Sequence, residues 1–197
     1  PYRFARLQEL LKENRPINAS KAASILRNRK GVGEAELGLA NEMAINQFIA
    51  HHSVIFQPGK KLMWVSTSPW QCGKYVAYDL NKIFSDSIDF SHEIHTEPLT
   101  LAADSFLQQL EYQQLLIYKE LIPVLRKHIK KKERLDEQTL HAFQHANPHF
   151  FYVYELLGDY YHATGQQDKA IRNWKKALSL PIPKRSESER IEHKINN

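Results

Sequence analysis

The sequence predicts an α+β chain in two parts: a mixed α/β portion over residues 1–90 and an all-α region over 91–183, with a tail at 185–197. Three observations predict this. Short β-branched and aromatic runs cluster between His52 and Leu80. Apolar residues at helical spacing occupy the start of the chain and everything after about Leu101. The stretch 84–100 between them is polar with little periodicity and reads as a linker over the surface. With 42% hydrophobic, 25% charged and 11% aromatic residues among 197, the chain can bury a core, which excludes disorder through most of its length.

In chain order, Phe4, Leu7, Leu10 and Leu11 share one face of a helix over 3–14, stopped by Asn14 and Pro16. A second helix starts at Asn18 or Ser20 with Ala22, Ala23, Ile25 and Leu26 inward, and Gly31 and Gly33 punctuate its end. The runs His52–Phe56 and Leu62–Ser66 flank Gln57-Pro58-Gly59-Lys60-Lys61, a hairpin closed by Pro and Gly. Lys74–Leu80 is a third strand after the loop Pro69-Trp70-Gln71-Cys72-Gly73. Three short strands do not make a self-sufficient sheet with two faces to cover, so they belong to a larger sheet. A long helical pattern runs from Ala102 to about Lys131, bent or broken near Pro123, and another covers Asp136–Ala146. Asn147-Pro148 opens a third, and the segment from Pro181 has loop composition and frays at its end.

Charge says little about partners. Residues 1–100 carry 12 basic and 10 acidic side chains and the remainder 15 and 12, so the net +5 is spread evenly. The densest knot, Lys127–Arg134, ends a helical pattern, where cations complement the macrodipole, and no aromatic-rich basic face accompanies it. Nucleic acid is therefore not the expected partner. No run approaches the roughly 18 apolar residues of a membrane span, so no membrane contact is expected from this segment. One cysteine excludes a disulfide framework and a Cys-rich zinc site. Pro1 is not an initiator Met, so the chain reads as a cleavage product or the boundary of an excised segment; periplasm and cytoplasm both stay open.

Several constellations fail on spacing. His51 and His52 adjoin on the expected strand, so they point to opposite faces and share no metal; one of them, His52, is a candidate for the substrate cleft. His92-Glu93-Ile94-His95 is one residue short of the zinc helix pattern. His141 and His145 lie i,i+4 without a third ligand and read as a solvated face. Gly31-Val32-Gly33 lacks the rest of a dinucleotide loop, and no nucleophile elbow occurs. Cys72, beside Gly and Trp, reads as a small buried filler. Asn41 and Asn46 precede the hairpin, where an Asn either caps a short helix or hydrogen-bonds a substrate. No metal site and no cofactor are implied.

Counting from Phe151, Tyr154, Leu157, Gly158, Tyr161, Ala170, Trp174 and Ala177 occupy positions 4, 7, 8, 11, 20, 24 and 27, with Gly165 at the turn and Pro181 and Pro183 at the close. This spacing resembles one tetratricopeptide repeat over 151–184, an antiparallel helix pair. One unit makes no concave peptide groove, so the pair reads as a packing appendage; the competing reading is a tetratricopeptide-type interaction adaptor.

At the front, Arg3-Phe4-Ala5-Arg6 opens a helix, a second helix and a polar connection follow, and the hairpin reads His-Ser-Val-Ile-Phe-Gln-Pro-Gly-Lys-Lys-Leu-Met-Trp-Val-Ser. Residues 2–80 resemble the C-terminal half of the catalytic domain of isopenicillin-N acyltransferase-like and choloylglycine-hydrolase-like enzymes. The resemblance implies part of an αββα N-terminal-nucleophile (Ntn) hydrolase sandwich, made by autoproteolysis. In such enzymes a new N-terminal Cys attacks an amide carbonyl and its own α-amine serves as base. The thioester then passes its acyl group to water or another amine.

For this chain the resemblance implies an amidohydrolase or acyltransferase for linear, non-peptide amides. It carries Arg3 over first as the active-site arginine and Arg6 second, while Asn46 and His52 join Arg6 as the candidates for contact with a small N-acylated substrate. Arg3 and Arg6 also read as solvent-exposed helix-start cations. Pro1 has no side-chain nucleophile and Cys72 lies inside a loop, so the catalytic Cys belongs to the N-terminal part of the same precursor and this chain alone is inactive.

Overall fold

The structure is a computed structural model describing residues 2–85, 89 and 91–196. Pro1 and part of the expected 84–100 linker (86–88 and 90) lie outside the described residues. The fold is mixed α/β, with a small antiparallel sheet and, among the described residues, eight α-helices. The chain divides into two compact units. One is Pro1–Ala35 with Ala44–Leu107; the other is Glu36–Met43 with Gln108–Asn197.

The first unit opens with helix α1, Tyr2–Glu13, ended where the Asn14 backbone N–H and side-chain Nδ2 both donate to the Leu10 carbonyl. Of the four apolar positions expected to face inward, Leu10 is buried and Leu7 half-buried, but Phe4 is 64% exposed and Leu11 is exposed, and the buried partner of Leu10 is Arg6. Helix α2, Ala19–Leu26, starts on Asn18, whose side chain accepts from the Lys21 N–H.

Strands β1 (Val54–Gln57), β2 (Leu62–Ser66) and β3 (Tyr75–Asp79) form an antiparallel meander in the order β1-β2-β3. The β1–β2 turn runs through Pro58–Lys60 and closes on Lys61 in the left-handed region, φ 52°. The strand begins two residues later than the sequence suggests, so His51 and His52 precede β1, and both are exposed.

Register sorts the side chains into two faces. Ile55, Trp64 and Ala77 lie in one cross-strand row and face α2, where Ala19, Ala22, Ala23 and Leu26 pack on them. The opposite face is built from two rows, Val54–Val65–Val76 and Phe56–Met63–Tyr78. All six are apolar or aromatic. Phe56 is 62% exposed, Val54 is exposed, and the others are half-buried.

The stretch after β3 is not a passing linker. The Thr96 N–H donates to the Ala77 carbonyl, Tyr75 and Leu101 exchange both backbone hydrogen bonds, and Trp64 Nε1 donates to the Leu99 carbonyl at 2.8 Å. Residues 96–101 thus cover the free edge of β3, and the first unit runs on to Leu107, past the boundary near 90 that composition suggests. Between β3 and this strap lies the one-turn helix α3, Leu80–Ile83, capped by Asp79.

The second unit is helical. Helix α4, Leu110–Lys131, starts eight residues later than the periodicity suggests and runs unbroken through Pro123, which lies on the exposed side. Helix α5, Glu137–Ala146, begins on Asp136, whose carboxylate accepts from the Thr139 N–H and hydroxyl. Helices α6, Phe151–Ala163, and α7, Gln167–Leu178, form a helix pair within the span expected at 151–184, turning at Gly165 with φ 77°. Helix α6 is its centre, with Phe151, Val153, Tyr154, Glu155, Leu156, Leu157, Gly158 and Tyr160 all buried.

The expected fraying tail is instead helix α8, Arg185–Asn196. Loop composition misled because its charges are spent on a neighbour: Arg190 and Lys194 both pair with the buried carboxylate of Glu155.

Candidate functional site

The first unit holds a buried polar network centred on Arg6, Asn28 and Asn46. Arg6 is 1% exposed, and its guanidinium is satisfied on three sides. Nη1 donates to Glu9 at 2.7 Å, Nη2 to Glu34, and Nε to Asn28 Oδ1 at 3.2 Å. Glu9 also accepts from the Gly33 N–H at 3.0 Å, and these bonds, led by that from Arg6, hold its carboxyl below the ordinary range. Gly33 sits at φ 63°, which lets its N–H turn toward Glu9 without a Cβ penalty. The helix start and the loop after α2 are therefore tied by one cation.

Asn28 carries the network inward. Its carbonyl accepts from the Asn46 N–H at 2.9 Å. Asn46 is buried, folds its Oδ1 onto the Phe48 N–H at 3.0 Å, and points Nδ2 at Cys72 Sγ, 3.3 Å away. Cys72 is fully buried. Burial pushes its thiol up, more than the Asn46 hydrogen bond lowers it, so the sulfur is a protonated, enclosed acceptor.

Two further arginines fix the loop that carries Cys72. Arg27 Nη2 donates to the carbonyls of Gly73 at 2.6 Å and Ala102 at 2.9 Å, and its guanidinium lies 5.0 Å from the Tyr75 ring centroid. Arg29 pairs with Asp104 at 2.7 Å and covers the Phe106 ring at 4.1 Å. The Tyr75 hydroxyl meets Ser53 Oγ, and burial raises that phenol. Sequence reasoning passed over Asn28, Arg27, Arg29 and Asp104. The Arg-x-Arg spacing at 27–29 was the available signal, but an arginine that ties loop carbonyls has no motif of its own.

The four site residues named from the sequence fall into two sets. Arg6 and Asn46 join the buried network through Asn28. Arg3 and His52 are exposed, and neither makes an ion pair or hydrogen bond among the described residues. Arg3 is flanked by exposed Tyr2 and Phe4. The structure does not gather the four around one cleft. An open cleft of about 690 Å³ lies elsewhere in this unit, lined by Asn81, Lys82, His95 and Glu97 among others. His95 there bridges Glu93 at 3.1 Å and Glu97 at 3.3 Å.

In the second unit the corresponding charged centre is Glu155, 2% exposed. It accepts from Arg190 Nε and Nη2 at 2.9 and 2.8 Å and from Lys194 Nζ at 2.7 Å. Lys194 also reaches Asp159 at 2.8 Å, and Trp174 Nε1 donates to the same Asp159 oxygen at 3.0 Å.

Compared with known proteins, the chain matches no family model, no curated protein and no solved structure.

Proposed function

We propose that the chain is the C-terminal part of a cysteine Ntn amidohydrolase or acyltransferase that acts on linear, non-peptide amide bonds of small N-acylated substrates. Its nucleophilic Cys and base come from the N-terminal part of the same precursor. The observation that carries this reading is the apolar second face of the sheet, on which Val54 and Phe56 are exposed and Met63, Val65, Val76 and Tyr78 are half-buried. A helix layer on one face and an apolar second face are what half of an α-β-β-α stack presents, since in such stacks a second sheet packs about 10 Å away. Exposed Phe4 and Leu11 on α1 add apolar surface to the same unit.

In this reading the chemistry divides between the two parts. The upstream Cys thiol gives its proton to its own α-amine and attacks the amide carbonyl. The amine leaves with that proton, and water or an acceptor amine resolves the thioester. Arg3, accessible and uncommitted among the described residues, fixes the carboxylate of an N-acyl amino acid or similar anionic substrate. His52 lies at the approach to β1, where it lines the substrate path. Arg6 and Asn46 act through the frame: they hold α1 and the segment before β1 in place, so they are positioning residues.

The tetratricopeptide-type adaptor reading needs an open groove on the helix pair. Helix α6 is buried along nearly all of its circumference, which favours a packing role for the pair.

The test is expression of the full reading frame with its upstream segment. Intact mass should show self-cleavage immediately before a Cys, and the processed protein should hydrolyse N-acyl amino acids. Arg3→Ala should raise KM for substrates with a free carboxylate far more than for their esters. A reading frame without an upstream Cys, or an uncleaved protein with no amidase activity, would overturn the proposal. Equal KM values in the variant would remove Arg3 alone.

A further inference from the structure

The two edges of the sheet are finished differently. The Ser66 N–H donates to the Ser53 carbonyl at 2.9 Å, so Ser53, Ile55 and Gln57 turn their backbone groups toward β2. Val54 and Phe56 therefore turn theirs to the outer edge, where neither backbone makes a hydrogen bond among the described residues. On β3 the outward groups are spent. Tyr75 exchanges both bonds with Leu101, the Ala77 carbonyl accepts from the Thr96 N–H, and the Ala77 N–H donates to Thr100 Oγ1 at 3.2 Å. The strap over 96–101 thus closes one edge, and β1 leaves the other open. The open strand, Val54-Ile55-Phe56-Gln57, holds no charge, proline or bulge, devices that keep exposed edges from pairing. Its outward residues also expose their side chains, Phe56 at 62% and Val54 at 38%.

We propose that this edge is the interface through which two copies of the chain pair, β1 running antiparallel to β1 of the second copy across a two-fold axis perpendicular to the sheet. Spare N–H and C=O groups on alternate residues are matched by another extended strand, and the second copy is the occupant that finishes the sheet. A foreign peptide would present an outer edge of its own to water. Two copies joined at β1 each end on a strap-covered β3, so the joined sheet has no open edge. Centred on Ile55, the pairing lets Val54 of one copy exchange both backbone hydrogen bonds with Phe56 of the other, so every exchanged group lies on β1 itself. The same register joins the row Val54–Val65–Val76 to the second copy's row Phe56–Met63–Tyr78 on one face. The pairing uses the edge of the sheet, so it stands or falls separately from the enzymatic reading, which uses the second face.

Sedimentation velocity of the whole chain should show a monomer–dimer equilibrium in which the dimer prevails at about 0.1 mM. Val54→Pro removes an N–H that faces outward and takes no part in the β1–β2 ladder, so it should weaken the dimer about tenfold or more while circular dichroism stays that of the parent. Should that variant fail to fold, Phe56→Lys sets a charge on the same exposed edge and should weaken the dimer as much. Register is read by mixing chains carrying Val54→Cys with chains carrying Phe56→Cys under mild oxidation. Residues directly opposed in a hydrogen-bonded pair stand about 5.5 Å apart at Cα, within reach of a disulfide, so the mixed cross-link should form about tenfold faster than either self-pair. A chain that stays monomeric at that concentration, a dimer that the folded variants leave intact, or self-pairs that form as fast as the mixed one would overturn the proposal.

Discussion

Gly158 lies against the indole of Trp174 so closely that a Cβ built on the glycine would fall 2.3 Å from Cδ1. The contact sets the distance between α6 and α7, and Ala170 and Ala177, both fully buried, keep the facing side of α7 equally small. Trp174 is fixed in turn by its Nε1 bond to Asp159. Gly158→Ala must therefore push the helices apart or tilt the indole. The expected loss is about 2 kcal/mol, within the range for overpacking a filled core. Urea denaturation should show it as a lower midpoint with an unchanged slope. A variant as stable as the parent would mean that the two helices part without cost.

Arg6 and Arg3 begin the same helix and should behave oppositely. Arg6 is enclosed by Glu9, Glu34 and Asn28, whereas Arg3 is exposed. Arg6→Ala removes charge-assisted bonds that tie α1 to the loop after α2 and should cost about 2 kcal/mol. Arg3→Ala should stay within about 0.5 kcal/mol, as surface substitutions do. The pair is measured on the isolated chain by thermal unfolding followed by circular dichroism. Equal losses would refute the division between a frame arginine and an accessible one.

Local pattern carried much of the architecture. Asn18 capped a helix, Pro58-Gly59 closed a hairpin, and Gly158 with Trp174 marked a helix pair, because each needs only neighbours in the chain or one repeat spacing. What stayed hidden depends on distant partners. Residues 185–196 look like a loop until Glu155, 35 residues before Arg190, supplies the counter-charge. Phe4 reads as core because helical spacing reports which residues share a face and says nothing of what covers it. Among the candidate site residues, the burial of Arg6 and Asn46 follows from Asn28, a residue that carries no motif.

Cys72 should be inert in the folded chain. It is fully buried, accepts from Asn46 and has its thiol pushed up by burial. A disulfide reagent at pH 8 should react only as fast as the first unit opens, and adding denaturant should release one thiol at once. Asn46→Ala should speed labelling, because it removes the Nδ2 donor and the Oδ1 acceptor of the Phe48 N–H. Immediate reaction of the native protein would show that the loop over 67–73 is open.

Acid should loosen the second unit through Glu155. Burial alone would raise its carboxyl, but the bonds from Arg190 and Lys194 outweigh that and hold it below the ordinary value. A carboxyl depressed in the folded state stabilises fully above its unfolded pKa, near 4.3, and that contribution is lost as pH falls toward the lower folded value. Stability of the unmodified chain should therefore drop below about pH 4, where Glu155→Gln, already weakened at neutral pH, should follow a flatter curve. Parallel curves would assign the acid sensitivity to other carboxylates.

The open face of the sheet makes the sharpest separation between a self-contained chain and half of a sandwich. Phe56 is 62% exposed and shares a row with Met63 and Tyr78. In the isolated chain, Phe56→Ser removes little buried surface, so stability should change by no more than about 0.5 kcal/mol, and self-association at high concentration should fall. Under the proposed sandwich, the same substitution in the full reading frame would place a hydroxyl in the interior between two sheets. There it should cost about 3 kcal/mol, as the loss of a buried phenylalanine does, and lower the yield of self-cleaved protein. Comparing thermal unfolding of the two forms reads the difference directly. Equal small effects in both would mean that the face stays in water, and the sandwich reading would fall with it.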